Sequence, residues 1–218
     1  MKQQEKTQRT QEKILKAAIC EFGDKGYDAA SINTVCQESQ VSKGLLYHNF
    51  KSKDDLFLQC VDQCYRELTD YLTLNDSPPL SGLESLQRLL ELRQAFFGEH
   101  QNYASLFFQS LLQPPHHLHN ELDEIRKDFS DFCSNTYRKA LKNMTLREGV
   151  TEEIALQYFS VFMEMFNGYF QSRASQGEDF ESLLEVHEQS LGRILDLILY
   201  GLVKQNEGRE MNHDHGIA

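Results

Sequence analysis

The chain has 218 residues, is 40% hydrophobic and 25% charged, and carries a formal net charge of −11. This is the balance of an ordinary globular protein of one or two domains, and it excludes disordered, collagen-like and disulfide-dense classes. With no run of about 18 apolar residues, a polar MKQQEKTQRTQEK opening unlike a secretory signal, and five cysteines in no regular framework, the chain reads as a cytoplasmic protein with free thiols and no membrane contact.

Helical periodicity dominates and no clean alternating strand pattern occurs. The first helix is predicted from about Thr7 to Lys25, with Ile14, Leu15, Ala18, Ile19 and Phe22 on one face and Gly26 as its stop. The second is predicted from Ser31, a good N-cap, to about Ser39. The third runs from about Ser42 to His48. Ser52 with Asp55 three residues on forms a capping box that opens a fourth, ending near Leu74. Asn75-Asp76-Ser77-Pro78-Pro79 is a break. Helices follow near 81–99, 101–112 and 116–142, the second ended by Pro114-Pro115. Thr151 caps another, which runs to about Ser175 with Glu152 and Glu153 in its first turn. The last is predicted from Phe180 to about Lys204, and the tail from 205 to 218 is expected to be disordered.

Residues 31–50, SINTVCQESQVSKGLLYHNF, read as two short helices joined by a turn of about three residues, the pattern of a helix-turn-helix. Its core is expected to hold Ile14, Leu15, Ala18, Phe22, Ile32, Val35, Val41, Leu45, Leu46, Phe50 and Leu56. The second helix of the pair opens on Ser42, Lys43 and Gly44, which are small, polar and basic. Gly44 permits close backbone approach, and Ser42 and Lys43 supply donors for base edges or phosphates. Tyr47 and His48 come at the far end of that helix, within reach of phosphates, and Lys53 sits at the next helix N-terminus. Charge is distributed accordingly. Residues 1–53 hold nine Lys/Arg against six Asp/Glu, a net of +3, which leaves −14 on the remaining residues.

From Arg9 to Phe57, with ILKAA, FGDKGY and VSKGLLYHNFKSKDDLF, the chain resembles the TetR family of bacterial transcriptional repressors. The resemblance implies an all-α homodimer of about nine helices, with an N-terminal three-helix head (1–53) on a larger ligand-binding and dimerisation body (54–204). It implies Ser42, Lys43 and Gly44 in the major groove of duplex DNA, and Ser31, Tyr47 and Lys53 on phosphates. The chain departs from the family's habit in three respects. Gln40 stands where Gly is common and is expected to be strained by about 1 kcal/mol in a left-handed conformation. Cys36 replaces a small residue, and His48-Asn49 replaces an aromatic-His pair.

The body is rich in aromatics between 96 and 170. An apolar effector pocket is expected there, with Phe97, Tyr103, Phe107, Gln109, Phe132, Tyr137, Phe162, Phe166 and Asn167 as its candidate lining, although core packing is the simpler role for any one of them. Glu164 amid these rings hints at a cationic lipophile, against the simpler reading of a solvated carboxylate. Residues 151–204 are expected to form the homodimer surface. Residues 154–170 are apolar around much of the helix, and the last helix carries Leu184, Leu191, Ile194, Leu195, Ile198 and Leu202 with a small Gly192.

The function expected is a ligand-responsive repressor that binds a palindromic operator as a homodimer and is released by an apolar or aromatic small molecule. No catalysis, cofactor or metal is expected. Two alternatives stay open. One is a thiol- or metal-sensing repressor using Cys60 and Cys64, which lie one helical turn apart, with His116 and His119 or His119 and Asp123 as weaker metal pairs. The other is a helical small-molecule or lipid carrier, or an enzyme, with a vestigial head.

Overall fold

A computed structural model describes residues 3–75 and 82–202, so the expected tail and most of the predicted 75–79 break lie outside the described residues. The described residues form α1 (Gln3–Ala29), α2 (Ile32–Ser39), α3 (Lys43–Asn49), α4 (Lys53–Asn75), α5 (Gly82–Glu99), α6 (Gln101–Leu112), a 3-10 turn (His116–Leu118), α7 (His119–Lys142), α8 (Glu152–Ser175) and α9 (Phe180–Leu202). α1 starts earlier than predicted, and its regular geometry is interrupted at Gly26 (φ 69°, ψ 176°), a conformation that L side chains rarely adopt.

Local chemistry fixes the first four helices. The Ser31 and Ser42 hydroxyls accept from the amides of Thr34 and Leu45, capping α2 and α3. α2 ends on Gln40 in the left-handed region (φ 57°, ψ 38°), and the Val41 N–H then donates to the Cys36 carbonyl at 3.0 Å. Ser52 caps α4 by accepting from Asp55 N–H at 3.0 Å. The Asp55 carboxylate reaches back to Lys51 N–H at 2.7 Å, one residue earlier than the predicted box.

Ile14, Ala18, Phe22, Val35, Leu46, Phe50 and Leu56 form the head's core. Leu45 corrects the sequence reading. Leu46 and Phe50, four apart, take the inward face of α3, which turns Leu45 outward at 41% exposure. α1 packs along α2, α4 and α6, so the main core continues from the head into the body. α7 lies across α4, α5 and α8. A second, smaller core gathers Leu86, Tyr137, Ala140, Leu141, Ala155, Leu199 and Leu202.

Two apolar stripes stay uncovered. α8 buries Ala155, Phe166, Phe170 and Ala174 but exposes Ile154, Tyr158, Val161, Met165 and Tyr169, which share one face at helical spacing. α9 exposes Val186, Leu197 and Tyr200. The apolar residues singled out on α9 from sequence do not form that outer face. Leu191, Leu195 and Leu202 are buried in the chain's own core, while Leu184, Ile194 and Ile198 are half-buried. Gly192 faces α5, where an added Cβ would meet Leu90 at 3.6 Å.

Candidate nucleic-acid interface and effector cavity

The outer end of α3 presents Ser42, Lys43, Gly44, Leu45, Tyr47 and His48 to solvent. A Cβ on Gly44 would have no atom within 4 Å, so nothing inside the fold asks for a glycine there. Leu45 lies three residues from Ser42 on the same exposed face, an apolar side chain where the sequence predicts a core residue. Ser31 is half-buried. Its N–H donates to Glu21 Oε1 at 2.8 Å, and Lys25 Nζ holds the same carboxylate at 2.8 and 2.9 Å. Burial raises the Glu21 pKa, but the bonds from Lys25 and the Ser31 amide outweigh it, and the net shift is downward. Lys53 is partly committed within the head. Its Nζ donates to the Asp28 carbonyl at 3.3 Å and sits 4.7 Å over the Tyr27 ring.

Head and body meet along α1, α4 and α6. Tyr27 OH donates to Asp54, and His117 from the 3-10 turn approaches both, 3.4 Å from Tyr27 OH and 3.4 Å from the Asp54 carboxylate. The Tyr27 bond, then the His117 contact, holds the Asp54 pKa below its usual value despite partial burial. On the other side of α1, a Cβ on Gly23 would lie 3.0 Å from the Asn102 carbonyl. Gly26 faces Gln109 in the same way, at 3.2 Å from Oε1. α6 therefore lies backbone-close against the head.

Behind α6 is a cavity of about 630 Å³ walled by α4, α5, α6, α7, α8 and α9. Its apolar lining includes Leu72, Leu89, Phe107, Leu111, Phe129, Phe159, Met163 and Leu191. Its inner polar groups are the buried Tyr65, Arg93 and His187 and the half-buried Arg126. Arg93 donates to both Glu188 oxygens at 2.6 and 2.7 Å, and Glu188 lies 3.2 Å from His187 Nδ1. His187 Nε2 lies 3.3 Å from Asn167 Oδ1, and its ring is enclosed by Phe108, Phe166 and Phe170. Burial raises the Glu188 pKa, but His187 and Arg93 overcome it and the net shift is downward. Three buried atoms on this wall have no hydrogen-bond partner: Tyr65 OH, Arg93 Nε and Arg126 Nε.

Of the predicted effector residues, Phe107 and Asn167 line this cavity. Phe97 is core, packed on Phe96, Phe107 and Phe108. Tyr103 lines a separate cleft between α1, α4 and α6, its hydroxyl accepting from Gln63 at 3.0 Å. Gln109 faces Gly26 at the head seam. Phe132 packs against the core, Phe162 stacks on Phe166, and Phe166 closes over His187. Tyr137 belongs to the second core, stacked on Phe159 at 4.3 Å, with its hydroxyl unpartnered. Glu164 is exposed on the cavity's outer side. Sequence reasoning missed Tyr65, Arg93, Arg126 and His187. The available signal was a cation on an apolar face: Arg93 shares its face with Leu89, Phe96 and Phe97, and Arg126 with Leu122 and Phe129.

Cys60 and Cys64 are fully buried and reduced. Burial, then their neighbours' charge, raises both pKa values, which keeps them as inert thiols. His119 pairs with Asp123 at 3.0 Å, while His116 is exposed. Among the described residues, no three His, Cys, Asp or Glu side chains gather as a metal site, and no helix is long and apolar enough to cross a membrane.

Residues 14–60 match the family model of the bacterial regulatory proteins of the tetR family. Over 183 residues, 80% of this chain and 97% of the relative, the sequence is 22% identical to the biofilm operon icaADBC HTH-type negative transcriptional regulator IcaR of Staphylococcus aureus strain Newman. The fold is similar to a TetR-family transcriptional regulator from Agrobacterium tumefaciens (TM-score 0.62, 17% identity, 91% of this chain and 100% of that one). It is also similar to the transcriptional regulator FadR of Bacillus subtilis in complex with stearoyl-CoA (TM-score 0.59, 17% identity, 81% and 96%). Together with the α1–α3 head, these likenesses place residues 14–60 in the tetR family of bacterial regulatory proteins and give the chain a fold like that of TetR-family transcriptional regulators.

Proposed function

We propose that this regulator is a repressor that holds a palindromic operator as a homodimer and lets go when a small molecule fills the cavity behind α6. The observation that carries the reading is the double duty of two helices. α6 turns Phe107 and Leu111 to the cavity and packs its Asn102–Gln109 side against α1. α4 turns Tyr65 and Leu72 to the same cavity, and its first residues, Lys53 and Asp54, are tied to the head. A molecule that moves either helix moves the head. It shifts the equilibrium only as far as it prefers the released arrangement.

In the bound arrangement Ser42, Lys43 and Gly44 meet base edges and backbone in the major groove, with Leu45 beside them for a thymine methyl group. Ser31, Tyr47, His48 and Lys53 meet phosphates, Lys53 after leaving the Asp28 carbonyl. The exposed stripes of α8 and α9 supply the homodimer contact within 151–204, and two heads about 34 Å apart then read two half-sites. Repression is supported by the name of the staphylococcal relative, a negative regulator. Burial of Cys60 and Cys64 speaks against a thiol sensor.

The test is binding of the purified protein to duplex DNA from upstream of its own gene, over a salt series with non-specific competitor. Competitor-resistant binding that collapses in a Lys43→Ala, Tyr47→Ala double variant supports the reading. Binding equally weak for all sequences and lost at moderate salt would overturn it for that site.

A further inference from the structure

We infer that the cavity accepts an amphipathic monoanion, an apolar chain or ring system ending in a carboxylate that seats on Arg126 Nε and Tyr65 OH. This rests on the cavity being the effector site and goes further, to the chemistry of the occupant. An apolar lining alone would accept any lipophile. The polar groups within it restrict the choice.

Arg126 holds its place through its two terminal nitrogens. One donates to the Ser110 carbonyl at 2.6 Å and the other meets Asp123 at 3.1 Å. Its Nε is left buried and unpartnered. Tyr65 is 3% exposed, and its hydroxyl is unpartnered too. Burial pushes the Tyr65 pKa up to about 12 against the lowering effect of Arg126 and of the Ser110 side chain, both of which stand near the hydroxyl without a well-formed bond to it, so the phenol stays protonated and able to donate. A guanidinium N–H only donates, and a buried donor left without an acceptor carries its full desolvation cost. An occupant that brings acceptor oxygens removes this cost, and an ionised acceptor bonds more strongly than a neutral one. Arg93 Nε, the third unpartnered donor, faces the same space from α5, but Glu188 already balances its charge.

One opposing charge, Asp123, already pairs with an Arg126 terminal nitrogen, but it is exposed, whereas the Glu188 that balances Arg93 is largely buried; the others lie at the rim. Glu124, Asp131 and Glu164, with Lys127, line the outer side of the cavity and are exposed, so water and salt screen them. A cationic head group could pair with Glu164 there, but it would leave Tyr65 and Arg126 unsatisfied. At about 630 Å³ the cavity lies within the range of small-molecule sites.

The experiment compares three probes of one chain length, dodecanoate, methyl dodecanoate and dodecyltrimethylammonium, by isothermal titration calorimetry below their micelle concentrations. Dodecanoate is expected to bind at least about tenfold tighter than the ester, with the ammonium weakest. Tyr65→Phe keeps the ring packing on Phe107 and Phe129. It should cut dodecanoate affinity about tenfold and leave the ester unchanged. Arg126→Gln should abolish the preference for the acid. Glu164→Gln should alter neither acid nor ester. Equal binding of acid and ester, tighter binding of the ammonium, a preference that survives Tyr65→Phe, or no binding of any probe would overturn the inference. Operator binding is measured separately. Selective acid binding with operator affinity unchanged would sustain the ligand class and defeat the release reading.

Discussion

Gln40 is the one non-glycine among the described residues with a positive φ, at 57°, and it sits in the turn that sets α3 against α2. An L residue pays about 1–2 kcal/mol for the left-handed region. Gln40→Gly removes that strain and keeps the backbone bonds from its N–H to the Cys36 and Gln37 carbonyls. The side chain is exposed, so little packing is lost. Against the gain stands the greater freedom of glycine in the unfolded chain, about 0.4–1 kcal/mol. The balance is a stabilisation of about 0.5–1 kcal/mol. For a chain of this size that raises the melting midpoint by about 1–4 °C. Thermal unfolding followed by circular dichroism, with Gln40→Ala as control, reads the difference directly. The alanine variant loses the same amide but keeps the strained φ, so it should melt within about a degree of the parent or below it. A glycine variant no more stable than the alanine variant would refute the argument, because the left-handed turn would then impose no cost for glycine to relieve.

Four other outcomes are expected. Tyr158→Glu with Met165→Glu, both on the exposed α8 stripe, should convert a dimer to monomers in analytical ultracentrifugation and abolish tight operator binding, while the helical content stays intact. Glu188→Ala should destabilise the fold by about 3–5 kcal/mol, because it strands the buried Arg93 guanidinium; denaturant unfolding measures this. Glu21 and Glu188 have folded pKa values below their ordinary 4.5, so their contribution to stability is complete above that pH and is lost as pH falls through the folded values. Melting midpoints should therefore drop below about pH 4.5, and by less in Glu21→Gln. Cys60 and Cys64 should resist a thiol reagent in the native protein that labels the half-buried Cys36 faster, and a Cys60→Ser, Cys64→Ser protein should still release operator to the effector.

The head was readable because its determinants are local. Ser31, Ser42 and Ser52 each cap within three residues, Gly26 ends a regular helix, and the Ser42–Gly44 opening has no packing partner to disguise it. Leu45 was misread because on a two-turn helix one position of phase decides between core and solvent, and α3 is too short for periodicity to fix the phase. The body was harder. Fourteen Phe and nine Tyr in the chain make an aromatic residue uninformative, since each suits a core as well as a cavity. Phe97 and Tyr137 went to core and Gln109 to the head seam, because which face of α5, α6 or α7 meets the void depends on how six helices converge. The polar residues that characterise the cavity, Arg93 and Arg126, carried a signal in their position on apolar faces. Pattern reasoning discounts a lone cation on such a face as a long side chain that reaches water.

The glycine at position 23 bears on how such proteins are engineered. A Cβ there would stand 3.0 Å from the Asn102 carbonyl, a backbone atom that cannot swing aside. Because α1 is fitted to α6 and not merely tethered to α4, a DNA-reading head from another regulator joined here after the third helix must also fit the face of α6. A donor α1 with a glycine at the matching position, or exchange of the recipient's α6 with it, keeps that fit. The transplantable unit is α1 to α4 together with the outer face of α6, a set that is discontinuous in sequence.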